Sequence, residues 1–228
     1  MLRAIIFDFD GVIVDAEPLI LKLTQQMAAQ EGWSVSVEEY YQDYLALDDR
    51  AIIEHLYRSH GRPVDNARRD ALVAWKSAAY AKIIENGLPA MPGAPEFVNR
   101  AAKIYPLAIA SGSLRSEIEH LVGCLGLRER FAVLATADDV ERSKPDPAVY
   151  LKAIERLRQI PLLRTPPLLA SECLAIEDAP LGVSAAHAAG MKCLALTHSR
   201  PRAELAHANW IFDHFKEIDL DRIAEEFG

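Results

Sequence analysis

Five short runs of unbroken apolar sequence constrain this chain more than any other feature: Ala4 to Phe7, Leu107 to Ala110, Ala132 to Ala135, Cys173 to Ile176 and Cys193 to Leu196. Runs of four or five residues without alternation, with helical patterns between the later four, are what strands buried on both faces of a parallel sheet require. The fold class is therefore α/β. A polar residue follows each run: Asp8, Ser111, Thr136, the pair Glu177-Asp178, and Thr197. Ligands of open parallel sheets bind outside the carboxyl ends of the strands, so the chain places its acids and hydroxyls where a site is expected.

Between residues 16 and 88 the strand signal fades. Leu19 to Gln30, Val37 to Leu47, Arg50 to Ser59 and Asn66 to Glu85 follow the helical period, with Gly61-Arg62-Pro63 as a loop and Asn86-Gly87-Leu88-Pro89 as a stop. One core strand precedes this stretch and four follow it. The expected organisation is a core of residues 1–15 and 89–228 with a helical cap of residues 16–88. Short linkers near Asp15 to Pro18 and Gly87 to Gly93 would permit hinge motion. Ile160 to Ala170 is apolar and proline-rich, and is expected to be a packed connection.

With 228 residues, half of them hydrophobic, the chain can bury a substantial core. A net charge of −8 opposes a general nucleic-acid or anionic-membrane surface. No apolar stretch reaches the roughly 18 residues that a membrane span needs, and the N-terminus lacks a signal pattern, so a cytoplasmic protein is expected. Cys124, Cys173 and Cys193 show no CxxC spacing, and the last two lie in apolar runs; they are expected to be small packing residues. The seven histidines show no HxxxH or HxH spacing and are assigned to surface or packing. Trp33 and Trp75 are expected to pack the helical insertion, and Arg58, Arg62, Arg68 and Arg69 to lie on solvated helix faces.

The first apolar run ends Phe7-Asp8-Phe9-Asp10-Gly11. Side chains of an extended strand alternate, so Asp8 and Asp10 begin on one side and the phenylalanines on the other. Two carboxylates that close raise each other's pKa and call for a cation, although a solvated strand end with incidental acids would read the same way.

Four ordered segments carry a resemblance: Asp8-Phe9-Asp10-Gly11-Val12-Ile13-Val14-Asp15, Ala110-Ser111-Gly112-Ser113, Ser143-Lys144-Pro145-Asp146-Pro147 and Ile176-Glu177-Asp178-Ala179-Pro180-Leu181-Gly182. Together they resemble the motifs of the haloacid dehalogenase superfamily. The helical insertion after the first motif resembles the subgroup of β-phosphoglucomutase and phosphoglycolate-type phosphatases. The resemblance spans nearly the whole chain and implies a doubly wound parallel sheet with a Rossmann-like core and an inserted helical cap.

It also implies roles. Asp8 would be the nucleophile of a phosphatase working through an aspartyl-phosphate, and Asp10 the group that protonates the leaving alkoxide and later deprotonates water. Halide displacement is disfavoured, because halide needs no proton. An anion approaching a phosphate needs positive charge between them, and Mg²⁺ suits hard oxygen ligands. Its ligands would be a side-chain oxygen of Asp8, the backbone carbonyl of Asp10 and the side chain of Asp178, with Glu177 a direct or indirect candidate. Glu177-Asp178 also suits the N-terminus of a helix near Pro180, and both readings can hold. Lys144, placed outside a helix by Pro145, would put a compact charge on the phosphoryl oxygens and the nucleophile. Ser111 and Gly112 would offer hydroxyl and N–H donors to phosphate, while Ser113 receives no catalytic role. Arg50 and Lys76 match cap positions that contact the distal part of substrate in β-phosphoglucomutase-like members; surface roles are the alternative.

The expected function is Mg²⁺-dependent hydrolysis of a small phosphorylated metabolite, a sugar phosphate or phospho-acid, by a monomer or weak homodimer. A β-phosphoglucomutase-like mutase is the alternative, opposed by Ile20 in the stretch where mutases of that kind carry a cap histidine. A phospho-signalling receiver or non-catalytic protein is disfavoured by motif order, by the insertion and by retention of both Asp8 and Asp10.

Overall fold

The computed structural model describes residues 1–44, 47 and 49–228. The chain forms two compact units, one of Met1–Asp15 and Gly87–Gly228 and the other of Ala16–Asn86. The second ends two residues before the boundary expected from the Gly87-Leu88-Pro89 stop.

The larger unit carries six strands, β1 Ala4–Phe7, β2 Leu107–Ala110, β3 Phe131–Ala135, β4 Cys173–Glu177, β5 Lys192–Leu196 and β6 Trp210–Phe212, in one sheet ordered β3-β2-β1-β4-β5-β6. All five pairings are parallel. The apolar runs became strands for the expected reason: β1, β2 and β4 are buried along their whole length. β6 was not anticipated, because its three residues are only half-buried and too short to show a period. The order reverses at β1, which lies between β2 and β4, so the crevice beyond its carboxyl end opens at a switch point.

The smaller unit holds α1 Glu17–Gln30, α2 Val37–Glu39 continued by a π-helical turn over Tyr40–Tyr44, α3 Asp49–Ser59 and α4 Asn66–Ile84. The expected helix through Leu47 includes Leu45 and Ala46, which lie outside the described residues. Ser36 caps α2 in a reciprocal box with Glu39, and Asp65 caps α4 by accepting from Arg68 N–H at 2.7 Å. The unit has its own core, with Met27, Tyr40, Tyr44, Ile52, Ile53, Leu56 and Leu72 buried and Trp33 and Trp75 packed against them.

In the larger unit, helices α5 Ala94–Ala101, α6 Arg115–Cys124, α7 Ala148–Leu157, α8 Pro161–Arg164, α9 Pro180–Ala188 and α10 Leu220–Glu225 accompany the strands. Phe7 meets Phe97 and Phe131 edge-on at 6.1 and 5.8 Å. Tyr150, Ile154 and Leu157 of α7 share a buried cluster with Ile6, Ala108 and Ala175 of three strands. Within Ile160 to Ala170, Leu163 and Leu168 are buried, as a packed connection requires. Cys173 and Cys193 are buried thiols, but Cys124, at the end of α6, is exposed, contrary to the packing role expected for it. Its helix turns that face outward, whereas the other two lie on central strands.

Candidate active site

Strand register builds the centre of the site. Phe7 pairs with Ile176, and Asp8 N–H donates to the Ile176 carbonyl at 2.9 Å, so Asp8 and Glu177 stand side by side at the ends of β1 and β4. One carboxylate oxygen from each of Asp8, Glu177 and Asp178 lies within 4.8 Å of the others. The sequence places these acids 169 and 170 positions apart; only the pairing of β1 with β4 makes them neighbours.

Lys144 lies between two of the three. Its Nζ is 2.8 Å from Asp8 Oδ1 and donates to Glu177 Oε1 at 2.7 Å. Burial and the Glu177 carboxylate push the Asp8 pKa up to about 7, against the pull of Lys144. Burial by itself would lower the lysine, but Asp8 and Glu177 outweigh it and hold the ammonium above its ordinary range. The arrangement keeps Lys144 charged and lets Asp8 exchange a proton near neutrality.

Glu177 is fully buried. Its Oε1 also accepts from Tyr150 Oη at 2.7 Å, and its Oε2 accepts from Asp178 N–H at 3.1 Å. Tyr150 was not among the sequence-expected residues. Its position five residues after Pro145, on the first turn of α7, was the available signal. Gly182 was quoted only as part of a motif, yet a Cβ there would stand 1.9 Å from Glu177 Oε1 and 2.0 Å from its Cδ. Helix α9 can pass the carboxylate only because that position is glycine.

After Asp8 the chain leaves the sheet. The Phe9 carbonyl accepts from Val12, Ile13 and Val14 N–H, and Gly11 N–H donates to the Val14 carbonyl at 2.9 Å. Gly11 has φ +75°, and a Cβ there would come within 1.9 Å of Asp178 Oδ2, so both backbone and space demand glycine. Its carbonyl oxygen lies 2.9 Å from His198 Nδ1, which therefore carries the proton. Burial lowers the His198 pKa, keeping the ring neutral. Ser199 Oγ donates to Asp178 Oδ2, and Ser113 Oγ donates to Asp10 Oδ2. His198, Ser199 and Ser113 thus hold the site's loops and acids. Sequence reading assigned His198 to surface or packing, gave Ser113 no catalytic role and did not single out Ser199, since hydroxyls and a lone histidine in loops carry no spacing signal.

Ser111 is buried directly after β2, where its Oγ accepts from Ser113 N–H at 3.0 Å; Gly112 is exposed beside it. In the helical unit, Arg50 is exposed on α3. Lys76 is different. It is 4% exposed and its Nζ donates to Asp49 Oδ1, so the charge expected to be available to a substrate is neutralised inside the unit.

Three carboxylates, hard oxygen donors only, converge with the Lys144 ammonium bridging two of them, and Gly11 leaves room for the Asp178 carboxylate. That donor set fits a small divalent cation such as Mg²⁺.

The profile of the haloacid dehalogenase-like hydrolases matches residues 2–190 of the chain. A putative phosphatase, YhcW of Bacillus subtilis (strain 168), is 31% identical over 85% of this chain and 83% of its own. Hexitol phosphatase B of Escherichia coli (strain K12) is 30% identical over 84% of this chain and 82% of its own. The crystal structure of β-phosphoglucomutase from Clostridium difficile superposes with a TM-score of 0.84 at 20% identity, covering 100% of this chain and 97% of that one. Among the described residues, no helix is long and apolar enough to cross a membrane.

Proposed function

The chain belongs to the haloacid dehalogenase-like hydrolase family, and from that premise we propose that it is a Mg²⁺-dependent phosphatase acting on a small phosphorylated metabolite through an aspartyl-phosphate on Asp8. The observation that carries this reading is the convergence of Asp8, Asp178 and Glu177 at the ends of adjacent strands with Lys144 Nζ 2.8 Å from Asp8 Oδ1. The names of two relatives, a putative phosphatase and a hexitol phosphatase, support a sugar-phosphate-like substrate.

In this reading Asp8 and Asp178 would hold the cation with side-chain oxygens and Asp10 with its backbone carbonyl. Glu177, whose oxygens already accept from Lys144, Tyr150 and Asp178 N–H, serves as the anchor of Lys144 rather than as a direct ligand. Bound Mg²⁺ would supply positive charge that lets an anionic carboxylate approach a phosphate dianion. The other Asp8 oxygen attacks phosphorus, the ester P–O bond breaks, and its electron pair passes to the leaving oxygen. Asp10 gives that oxygen its proton. A water then attacks the aspartyl-phosphate, loses a proton to Asp10 and releases phosphate, which restores Asp8. Lys144 spreads its charge over Asp8 and the phosphoryl oxygens, while the Ser111 hydroxyl and neighbouring N–H groups would donate to phosphoryl oxygens. Arg50, exposed on α3, is assigned to the non-reacting part of the substrate. Lys76, paired with Asp49, is assigned to organising that helix rather than to meeting substrate directly.

Hydrolysis is favoured over a mutase reaction because Ile20, an apolar side chain packed in its own unit's core, offers no donor with which to shield the phosphoenzyme. The test is phosphate release from a panel of sugar phosphates and small phospho-acids with and without Mg²⁺, in wild type and Asp8→Asn. The reading requires Mg²⁺-dependent release that the folded variant loses. Retained turnover in Asp8→Asn refutes the nucleophile, and interconversion of sugar phosphates without phosphate release refutes hydrolysis.

A further inference from the structure

We propose that Tyr150 is a positioning residue for Lys144, acting through the buried carboxylate of Glu177. The kinetic part of this inference rests on the phosphatase reading above. Glu177 Oε1 accepts from Tyr150 Oη and Lys144 Nζ, both at 2.7 Å, so the phenol and the ammonium share one oxygen. The remaining oxygen is held by Asp178 N–H, and Gly182 backs the carboxylate so closely that no Cβ fits. Glu177 therefore cannot turn without breaking its contacts with Lys144, Tyr150 or Asp178 N–H.

Its rigidity matters because Lys144 touches two acids with different jobs. If the Glu177 carboxylate turned away, the ammonium, 2.8 Å from Asp8 Oδ1, would be left paired with the nucleophile alone and would lose the second anchor that sets its position. Tyr150 opposes that in two ways. Its hydroxyl fixes the Oε1 lone pair left by the lysine, and its ring faces the ammonium, with Nζ 5.0 Å from the ring centroid. The phenol is suited to this role because burial, then the negative Glu177, raises its pKa well above the ordinary value and keeps it a donor at every working pH. Position 150 lies on α7, two residues inside its start, so the same helix that packs on the sheet also sets the height of the hydroxyl.

Tyr150→Phe removes one oxygen and keeps the ring. With p-nitrophenyl phosphate and Mg²⁺, kcat is expected to fall roughly 10–100-fold, as for other partners of a site's direct ligands, with KM within about threefold. A second readout needs no turnover: the Lys144 ammonium ¹H–¹⁵N resonance, assigned by its loss in Lys144→Arg, should shift or broaden in Tyr150→Phe. A folded Tyr150→Phe protein that has kcat within twofold of wild type, whatever its unfolding temperature, reduces Tyr150 to packing and overturns the proposal. So does a raised KM at unchanged kcat. If wild type itself turns over no phosphate ester, the phosphatase reading fails instead, and the ammonium resonance alone decides. An unshifted resonance overturns the proposal and a shifted one supports it. Should the Phe variant not fold, Tyr150→Met, which also lacks a donor but packs adaptably, is judged by the same two readouts.

Discussion

Gly182→Ala tests the packing behind the site. Alanine is ordinarily the better helix residue by about 1 kcal/mol, so a helical glycine free of neighbours should gain stability on this change. At Gly182 the new Cβ would stand 1.9 Å from Glu177 Oε1, where ordinary contact begins at 3.4 Å. The carboxylate must retreat by about 1.5 Å, a distance set by van der Waals contact. Such a move takes Oε1 out of reach of both Lys144 and Tyr150, now at 2.7 Å. Separating a fully buried charge from its partners costs about 3–5 kcal/mol, so after the helix gain the net loss is about 2–4 kcal/mol. For a chain of this length each kcal/mol moves Tm by about 2–4 °C, so a fall of roughly 4–16 °C is expected by calorimetry. Gly123→Ala in α6, where a Cβ would meet nothing within 4 Å, is the control and should leave Tm unchanged or raise it. Equal behaviour of the two variants would falsify the claim that α9 closes on the Glu177 carboxylate.

Three further outcomes follow from the site and its surroundings. Asp10→Asn should slow esters with poor alkoxide leaving groups far more than aryl phosphates, because only the former need a proton on departure; equal losses across leaving groups, read from kcat/KM, would show that Asp10 only shapes the site. Asp8 is raised from 3.8 to about 7 in the folded protein, so its contribution to stability without metal is present below pH 4 and is lost as pH rises through 7. A cation needs the ionised carboxylate, so the rise in Tm on adding Mg²⁺ should be larger at pH 8 than at pH 5.5, and equal rises would refute the assignment of Asp8 as a ligand. Away from the site, the Arg156 guanidinium holds the Asp139 carboxyl far below its usual range. That contribution is present above about pH 4 and lost as pH falls through the depressed value. Asp139→Asn should therefore cost about 1–2 kcal/mol at pH 7, the pair being partly exposed. Urea unfolding should show the difference shrinking toward pH 3, and a constant difference would exclude the ion pair as its cause.

The strands, their parallel sense and the helical insertion were legible because each rests on local periodicity. A run such as Ile5-Ile6-Phe7 can be satisfied only by burial on both sides, and Leu19 to Gln30 only by a helix with one covered face. The candidate residues Asp8, Asp10, Lys144 and Asp178 were legible for a related reason: Asp8 and Asp178 directly follow strands, Lys144 sits beside a proline, and Asp10 precedes the glycine at which the chain turns. Tyr150 was not, since it looks like one more apolar position of α7 until the sheet brings Glu177 under its hydroxyl. The partner of Lys76 was hidden for the opposite reason, because charge is visible in a sequence and a partner such as Asp49, 27 positions away, is not.

The sequence by itself therefore determined the class of fold, the order of its elements and which acids stand at strand ends, all consequences of neighbours along the chain. Only tertiary structure decided that Lys144 bridges Asp8 and Glu177, that Ser199 and Ser113 hold Asp178 and Asp10, and that Gly11 and Gly182 must lack side chains. Those facts depend on β1 lying against β4 and on helix α9 passing within an atom's width of a buried carboxylate. Contacts between residues far apart in the chain leave no period to read, because the energy that selects them comes from the packed interior.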